Sequence, residues 1–255
     1  MIYKLENTDT AAGLFAGWEE TIIWSCIQKV MGEIYVDDLE CPASAMAVLG
    51  DFCFFAGAEN RELVLYKPEH CRQDFIIMIP QSAAWHPLIE QCYKGRAKKV
   101  TRYAMKKEPG IFHPEQLQAI VQNLSSEYRL QMMDEEAYAM CQKQQWSKDL
   151  VSQYKDYEMY RKLGLGVVIM KSDELVAGAS SYSTYQQGIE IEIDTKEEFR
   201  RRELAAICGA KLILECLERK LYPSWDAQNP WSVALAEKLG YHFDHEYPAY
   251  EIWGY

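Results

Sequence analysis

The pattern that most limits the fold is an alternation of strand-like and helix-like segments in the last third of the chain. Residues 166–170 and 175–183 are apolar runs on either side of the turn sequence Lys-Ser-Asp-Glu, which predicts a β-hairpin. The segments after it alternate in type: a strand at 189–194, a helix at about 203–219, a strand at 221–225, a helix at 230–239 and one or two strands across 241–253. This order predicts an α/β fold, with a mixed, twisted sheet and helices on both of its faces.

The earlier segments are also of mixed type. Upstream of the hairpin we expect a strand at 128–133 and helices at 135–145 and 148–163. The first part of the chain has helical patterns at 18–31, 82–95 and 113–124 and short apolar strands at 51–57, 75–79 and 100–105. We therefore expect a smaller N-terminal α/β domain, residues 1–124, and a second domain, residues 125–255. A strand-helix-strand order recurs at 75–105 and 221–253, with Trp85 and Trp231 near the helix starts, which supports the hypothesis that the first domain is a degenerate relative of the second.

Charge, hydrophobic runs and cysteine spacing together exclude several kinds of partner and site. The 255 residues carry a net charge of −11 at pH 7, and an acidic surface repels nucleic acid and anionic membranes, so neither is expected as a partner. No apolar run approaches the ~20 residues that span a bilayer, and residues 1–10 do not resemble a signal peptide. The cysteines form no C-x-x-C pair, and no metal site is predicted, because His242 and His245 would face opposite ways on a strand. We expect a cytoplasmic protein, and the sequence is compatible with a homodimer.

A candidate anion site follows the strand that comes after the hairpin. The sequence passes from that strand through a short loop into a helix with small residues in its first turn, and free amides at a helix N-terminus bind anions. Three consecutive arginines, Arg200, Arg201 and Arg202, stand at this helix start and suit a ligand with several phosphates. The alternative, from charge alone, is a solvent-exposed basic turn that balances Glu197 and Glu198.

This loop and the helix near the C-terminus together resemble the GNAT superfamily of N-acetyltransferases. The motif Arg200-x-x-Glu203-x-Ala205 stands where that family has its pyrophosphate-binding Arg/Gln-x-x-Gly-x-Gly/Ala loop. Arg201 and Glu203 replace the usual glycines, which let a backbone approach phosphate closely.

The late helix carries the second part of the resemblance. Asn229 suits an N-cap and Pro230 the first helical position, although these features also describe an ordinary packing helix. The family pattern is matched by Asn229-x-x-Ser232-x-x-Leu235-x-x-Lys238-Leu239-Gly240-Tyr241, with Ala236 where a general-acid tyrosine is usual. The runs at 35–42, 50–57 and 215–229 are similar to the branch that includes zwittermicin A resistance-type acetyltransferases.

The resemblance implies a site for acetyl-CoA, with CoA as product, between two splayed parallel strands at 189–194 and 221–226. The residues implied in binding it are Ile193, Asp194, Thr195, Arg200, Arg201, Arg202, Glu203, Leu204, Ala205, Ala206, Asp226, Asn229 and Ser232. An amine must lose a proton before it attacks a thioester, so we expect Glu192, and next Glu190, as the general base on one face of the strand. Tyr241 or Ser232 would protonate the thiolate, which can also leave unaided.

The sequence therefore predicts an N-acetyltransferase, an enzyme that moves an acetyl group from acetyl-CoA to a primary amine of a small molecule, such as a cationic metabolite or an antibiotic. Its partners would be an acyl-CoA and the amine acceptor. Arg201, Glu203 and Ala236 leave open a second hypothesis, a non-catalytic acyl-CoA-binding or regulatory protein with the same fold. A cysteine hydrolase would need a reactive cysteine beside a histidine, and the sequence has no such motif.

Overall fold

The computed structural model describes residues 1–69, 71 and 73–255, which pack into two compact units. Unit 1 consists of Met1–Arg102 and Glu246–Tyr255, and unit 2 consists of Tyr103–His245. Each unit contains both strands and helices, so the mixed α/β class predicted from the sequence is confirmed. The division into domains at residue 124 stays a prediction.

Unit 1 is built from short elements that begin at the N-terminus. Its described strands are β1 (Tyr3–Lys4), β2 (Glu33–Val36), β3 (Ser44–Leu49), β4 (Phe52–Gly57) and β5 (Phe75–Pro80). Its described helices are α1 (Asp9–Ala12), α2 (Thr21–Ile27), α3 (Arg61–Leu65) and α4 (Trp85–Tyr93), with 3-10 turns at Gly13–Phe15 and Lys94–Arg96. Strand β6 (Ala97–Met105) leads the chain from unit 1 into unit 2.

Unit 2 has longer strands and one long helix. Its described strands are β7 (Arg129–Met132), β8 (Gly166–Lys171), β9 (Glu174–Tyr185), β10 (Gly188–Thr195), β11 (Tyr222–Ser224) and β12 (Asp226–Ala227). Its described helices are α5 (Pro114–Gln122), α6 (Glu135–Lys143), α7 (Tyr157–Leu163), α8 (Leu204–Glu218) and α9 (Pro230–Lys238), with 3-10 turns at Lys148–Leu150 and Glu197–Phe199. Strand β13 (Phe243–Trp253) leads the chain back into unit 1.

The sheet of unit 1 is antiparallel from β1 to β4 and then changes direction. Strand β5 lies parallel to β4, and β13, which comes from the end of the chain, lies antiparallel to β5. Strand β3 is buried along its whole length, and Trp85 of α4 and Tyr250 of β13 are buried in the same apolar core. The last strand of the chain therefore completes the core of its first unit.

The sheet of unit 2 has the order β11-β10-β9-β8-β7 and carries α8 on one face. Strands β7 to β10 are antiparallel, whereas β11 is parallel to β10. Helix α8 packs closely, because a Cβ atom on Gly209 would lie 3.0 Å from Cδ1 of Ile193 on β10 and 2.7 Å from Cδ1 of Leu239. This close packing fixes the position of the N-terminus of α8 relative to β10.

The alternation predicted for the last third of the chain is confirmed. The hairpin is formed by β8 and β9, and β10, α8, β11, α9 and β13 follow in the predicted order, with β12 as an additional short strand. None of the described helices is both long and apolar enough to cross a lipid bilayer.

The predicted helix at 148–163 is wrong. The structure has a 3-10 turn at Lys148–Leu150, and α7 begins only at Tyr157, where the Asp156 carboxylate accepts a hydrogen bond from the Met159 amide at 2.8 Å. Tyr154 contributes to the apparent helical stripe in the sequence, but its hydroxyl lies 2.6 Å from Oγ of Ser181 on β9. Contacts with the sheet therefore override the local helical pattern.

Candidate functional site

Strands β10 and β11 are paired over a short stretch and then separate. Their parallel register joins Gly188 with Tyr222, Ile189 with Pro223 and Glu190 with Ser224. Beyond Glu190, strand β10 stays paired with β9 as far as Thr195. The chain beyond Ser224 instead forms β12, which pairs with the end of β6. The two parallel strands therefore diverge after Glu190 and Ser224, which leaves a wedge that opens towards the end of β10.

The paired stretch depends on a glycine. A Cβ atom on Gly188 would lie 2.1 Å from the carbonyl oxygen of Tyr222 and 2.6 Å from the hydroxyl of Tyr185, so any larger residue would collide with backbone. Beside it, the Tyr185 hydroxyl and the Ser224 hydroxyl are 3.0 Å apart. The closed end of the wedge is therefore tightly packed and polar.

The loop after β10 brings the N-terminus of α8 to the C-terminal end of this strand, where the wedge is open. Arg201 and Glu203 both have a φ of 62°, in the left-handed region that glycine adopts without strain. These are the two positions at which the resemblance predicts glycines. The backbone thus adopts a glycine-type path with arginine and glutamate, at a cost of about 1–2 kcal/mol for each such residue.

The first amides of α8 are left open by this path. Glu203 is the N-cap residue of α8, with ψ of 4°, and its side chain makes no capping hydrogen bond. The amides of Leu204, Ala205 and Ala206 begin the helix and have no intrahelical acceptor. Such a set of amides, at the positive end of a helix dipole, favours an anion.

The three arginines differ in what they contact. Nε of Arg200 donates to the Thr195 carbonyl at 3.2 Å, and Arg202 donates to the Glu198 carbonyl at 3.1 Å and lies over the Phe199 ring. Arg201 is exposed, and its side chain has no partner among the described residues. The basic-turn alternative requires ion pairs between these arginines and the carboxylates of Glu197 or Glu198. Within the described parts of the chain, no such ion pair is formed.

Glu203 and Lys238 form an ion pair across two helices. Oε2 of Glu203, at the start of α8, accepts a hydrogen bond from Nζ of Lys238, in the last turn of α9. Lys238 belongs to the late motif of the sequence but is not among the predicted site residues. The carboxylate that replaces a glycine is therefore directed towards a cation on the neighbouring helix.

Carboxylates line the face of β10 opposite α8. Ile189, Ile191 and Ile193 pack in the apolar core of unit 2, so the alternating side chains of the three acidic residues lie on the other face: Glu190, Glu192 and Asp194. A bulge interrupts the pairing beside Glu190, but its extra residue, Tyr182, belongs to β9, and the alternation along β10 is retained. The predicted common face of Glu190 and Glu192 follows from this geometry.

Glu190 is the most buried of these acids, with 9% of its surface exposed. It lies in register with Ser183 on β9 and with Ser224 on β11. Burial, together with the charge of Glu190 and of other groups, raises the pKa of three nearby phenols: that of Tyr222 rises to about 12, and those of Tyr185 and Tyr241 also rise above their usual value. A buried carboxylate within a group of phenols and hydroxyls therefore lies where the strands diverge.

Asp194 lies further along β10. Burial, and to a smaller degree the charge of Asp149, raises the pKa of its carboxyl above 3.8, although the Thr195 amide and Arg200 act in the opposite direction. Oδ1 of Asp194 accepts a hydrogen bond from the Thr195 amide at 2.6 Å. A carboxyl group with a raised pKa beside a wedge is typical of functional sites, although structural ion pairs produce the same effect.

The remaining predicted residues lie on or beside α9. Oδ1 of the Asn229 side chain accepts a hydrogen bond from the Ser232 amide at 2.9 Å, which confirms the predicted N-cap, and the Ser232 hydroxyl accepts one from the Trp225 indole at 3.1 Å. Asp226 is in β12. The Tyr241 hydroxyl is buried and donates to the Pro223 carbonyl at 2.6 Å.

Sequence reasoning missed the polar lining of the closed end of the wedge. Ser183, Tyr185 and Ser224 are fully or almost fully buried, and the Ser183 hydroxyl has no hydrogen-bond partner among the residues that the structure describes. The available signal was the segment Ser-Ser-Tyr-Ser-Thr at 180–184, which places four hydroxyl residues around Tyr182 in a strand that begins as an apolar run. Polar residues that interrupt a buried strand need a partner or a function.

A wedge between two parallel strands, beside a left-handed loop and an open helix N-terminus, is the arrangement that the sequence resemblance to N-acetyltransferases implies. A sequence model of the GNAT acetyltransferase family matches residues 12–250, and the chain belongs to that family. It is a GNAT-type N-acetyltransferase, and its order of elements agrees with that assignment.

Individual relatives agree with the family assignment. The uncharacterised N-acetyltransferase YdfB of Bacillus subtilis (strain 168) is 25% identical over 244 residues, which cover 90% of this chain and 89% of that protein. The crystal structure of a GCN5-related N-acetyltransferase-like protein from Streptococcus suis 89/1591 is 45% identical, covers 97% of this chain and 98% of its own, and has a TM-score of 0.91. A tandem GNAT protein from the clavulanic acid biosynthesis pathway is similar in fold alone, with 8% identity, coverage of 100% and 99%, and a TM-score of 0.56.

Proposed function

We propose that the protein transfers an acetyl group from acetyl-CoA to a primary amine of a small molecule. The observation that carries the proposal is the divergence of β10 and β11 after Glu190 and Ser224, next to the open N-terminus of α8. A wedge of this kind accepts an extended thioester arm, and an open helix N-terminus accepts its diphosphate. The two features lie at the same end of β10.

The proposed acetyl-CoA site is formed by this chain's backbone more than by its side chains. The diphosphate would be bound by the amides of residues 201–206, since Glu203 does not cap the helix. Arg201 is the one of the three arginines that is exposed without a side-chain partner among the described residues, so it is the arginine best suited to contact phosphate. The residues proposed to contact the cofactor are Ile193, Asp194, Thr195, Arg200, Arg201, Arg202, Glu203, Leu204, Ala205, Ala206, Asp226, Asn229 and Ser232.

A carboxylate on β10 is proposed as the general base. Glu192 is half-buried and lies on the face opposite α8, while Glu190 is more deeply buried on the same face. The base removes a proton from the acceptor ammonium, and the neutral nitrogen then attacks the thioester carbonyl as the carbon–sulfur bond breaks and the CoA thiolate leaves. The second proton that the nitrogen loses as the amide forms passes to the thiolate or to solvent. We assign this role to Glu192 first, because a half-buried side chain reaches an incoming amine more easily.

Tyr241 is proposed to protonate the departing thiolate only when its hydroxyl turns away from Pro223. In the structure its proton is directed to the Pro223 carbonyl, and burial raises the pKa of the phenol, which makes it a weaker acid. A thiolate is stable enough to leave without a donor. The proposal therefore assigns most of the catalysis to positioning and to the base.

The proposed acceptor is a small cationic amine, such as a metabolite or an antibiotic. Three acidic side chains on one face of β10 and a net charge of −11 both attract an ammonium group. The resemblance of three sequence runs to zwittermicin A resistance-type enzymes supports the same class of acceptor.

The proposal is tested first by cofactor binding. Acetyl-CoA at about a hundredfold excess over its Kd stabilises the native state by about 2.7 kcal/mol, which raises the Tm of a chain of this size by about 5–10 °C. The absence of a shift with any acyl-CoA would refute the proposal.

Catalysis is tested by release of free CoA thiol with a panel of small amines. We expect Glu192→Gln to lower kcat by about 10²–10⁴-fold, whereas Glu174→Gln, which changes an exposed acid paired with Lys196 on the same sheet, leaves kcat unchanged. Binding of acetyl-CoA without thiol release from any amine would instead support the non-catalytic alternative.

A further inference from the structure

Glu203 is an acidic residue at a helix N-terminus that does not cap its own helix. Acidic side chains near the first turn normally interact with the unfilled amides and with the positive end of the helix dipole. The carboxylate of Glu203 makes no such bond to α8, although it occupies the N-cap position and is two-thirds exposed, at 66%. The left-handed backbone of Glu203 differs from the extended conformation of a capping residue, and its carboxylate is bound elsewhere.

The group that holds the carboxylate is Lys238, which is 35 residues away in the sequence. Nζ of Lys238 donates to Oε2 of Glu203, and the pair joins the end of α9 to the start of α8. Lys238 itself is well positioned, because Asn229 caps the other end of α9 and the adjacent Leu239 packs against Gly209 of α8.

We propose that Lys238 is a positioning residue that holds the Glu203 carboxylate away from the N-terminus of α8 and so keeps this site open to the diphosphate of an acyl-CoA. The inference rests on the proposed function, because it concerns the same diphosphate site. Lys238 acts through Glu203 and makes no contact with the ligand in this proposal.

The physical argument concerns competition between two anions. A carboxylate released from Lys238 would be attracted to the same amides and the same helix dipole that attract phosphate. It is attached to the chain beside the site, so it competes at a high effective concentration. Even if the Glu203 carboxylate does not bind the amides of α8, its unneutralised charge at this position repels a diphosphate. Loss of Lys238 should therefore weaken acyl-CoA binding, and removal of the Glu203 charge should restore it.

The experiment measures CoA binding by isothermal titration calorimetry with the full-length protein and four variants. The variants are Lys238→Met, Glu203→Gln, the double variant and Lys238→Arg, with Lys211→Met as a matched control. Lys211 lies on α8 and, like Lys238, forms an ion pair with a glutamate: its Nζ is 2.6 Å from Oε1 of Glu215. Melting temperatures without ligand confirm that each variant is folded.

The expected result is a non-additive pattern. Lys238→Met weakens CoA binding roughly five- to tenfold and raises the KM for acetyl-CoA by the same factor, with little change in kcat at saturation. The double variant binds within about twofold of Glu203→Gln. Lys238→Arg and Lys211→Met bind as the unaltered protein does.

Two results would overturn the inference while leaving the proposed function intact. If the unaltered protein binds CoA and Lys238→Met binds equally well, the ion pair has no role in the site. If Lys238→Met binds weakly and the double variant stays equally weak, Lys238 contacts phosphate directly. If the unaltered protein binds no acyl-CoA, the proposed function fails before this inference is reached.

Discussion

The carbonyl oxygen of Tyr222 lies 2.1 Å from the point that a Cβ atom on Gly188 would occupy, in the first residue pair of the parallel β10–β11 register. The contact is with backbone, so it cannot be relieved by turning a side chain. The pairing that ends at the wedge therefore requires glycine at this position, although the φ of Gly188 is not positive.

Substitution Gly188→Ala should separate β10 from β11. Because the added methyl collides with backbone, we expect the free energy of unfolding to fall by about 3 kcal/mol, at the upper end of the range for overpacking. The measurement is chemical denaturation followed by acetyl-CoA titration, and binding should be lost together with stability. Gly13→Ala is the control, because nothing lies within 4 Å of its added methyl, and unchanged stability of Gly188→Ala would contradict the role of this contact.

Ser183→Ala should not destabilise the protein. In the described part of the chain the buried Ser183 hydroxyl has no hydrogen-bond partner, so its removal relieves an uncompensated desolvation cost. Ser181→Ala, by contrast, removes the partner of the Tyr154 hydroxyl at 2.6 Å and of the Leu165 amide at 3.0 Å, and should cost about 1–3 kcal/mol. Thermal melts of the two variants compare these effects directly. An equal loss in both variants would show that Ser183 has a partner in solution.

Tyr241→Phe separates a structural role from a chemical one. The variant loses the 2.6 Å hydrogen bond to the Pro223 carbonyl, so the free energy of unfolding should fall by about 1–3 kcal/mol. If the thiolate leaves unaided, kcat per folded molecule stays within about threefold of the unaltered value, less than the loss of a general acid would cause. Tyr157→Phe is a suitable control, since the Tyr157 hydroxyl makes no hydrogen bond among the described residues. A decrease in kcat without a loss of stability would make Tyr241 the proton donor.

Much of unit 2 could be predicted because local and tertiary preferences agree there. The β8–β9 hairpin has a polar turn between apolar strands, and Asn229 and Pro230 mark the start of α9 in both sequence and structure. Strands β2 and β3 were not predicted, because short segments without a clear period are defined by their neighbours in the sheet.

The details of the candidate site depend on interactions that sequence patterns do not contain. A left-handed conformation is unfavourable for arginine and glutamate, so nothing local indicates it at Arg201 or Glu203, and the resemblance alone marks these positions. The ion pair of Glu203 with Lys238 depends on how α8 packs against α9. Likewise, the burial of Glu190 among phenols follows from the register of three strands rather than from its neighbours in the sequence.

Asp194→Asn should stabilise the protein at neutral pH. Burial and the charge of Asp149 raise the pKa of Asp194 in the folded state above 3.8, so ionisation of this carboxyl disfavours folding. The penalty is complete above the folded-state pKa and disappears below the unfolded-state value, where both states are protonated. The stability advantage of the variant should therefore be present at pH 7 and shrink as the pH falls through this range. Denaturation across pH tests this, and an advantage that grows towards acid pH would contradict the direction of the shift.

Among the described residues of unit 1, the parallel strands β4 and β5 do not diverge in the way that β10 and β11 do in unit 2. Its parallel strands stay paired from Phe52 with Ile77 to Phe55 with Pro80, and Gln81 extends the pairing by donating its amide to the Phe55 carbonyl at 2.9 Å. The Gln81 side chain also accepts a hydrogen bond from the Gly57 amide at 3.2 Å, which joins the end of β4 to the residue after β5.

We therefore expect one acyl-CoA site per chain, despite the similar order of elements in the two units. Helix α3, which follows β4, also differs from α8. It has five residues, and the Leu63 amide in its first turn already donates to the Asn60 side chain at 3.1 Å. Calorimetric titration with CoA should give a stoichiometry of about one, because the wedge between β10 and β11 and the open N-terminus of α8 together meet the requirements for the thioester arm and the diphosphate. A stoichiometry near two that falls to about one when Gly188→Ala disrupts the wedge of unit 2 would place a second site in unit 1. Such a result would require β4 and β5 to separate in solution, against the hydrogen bonds of Gln81.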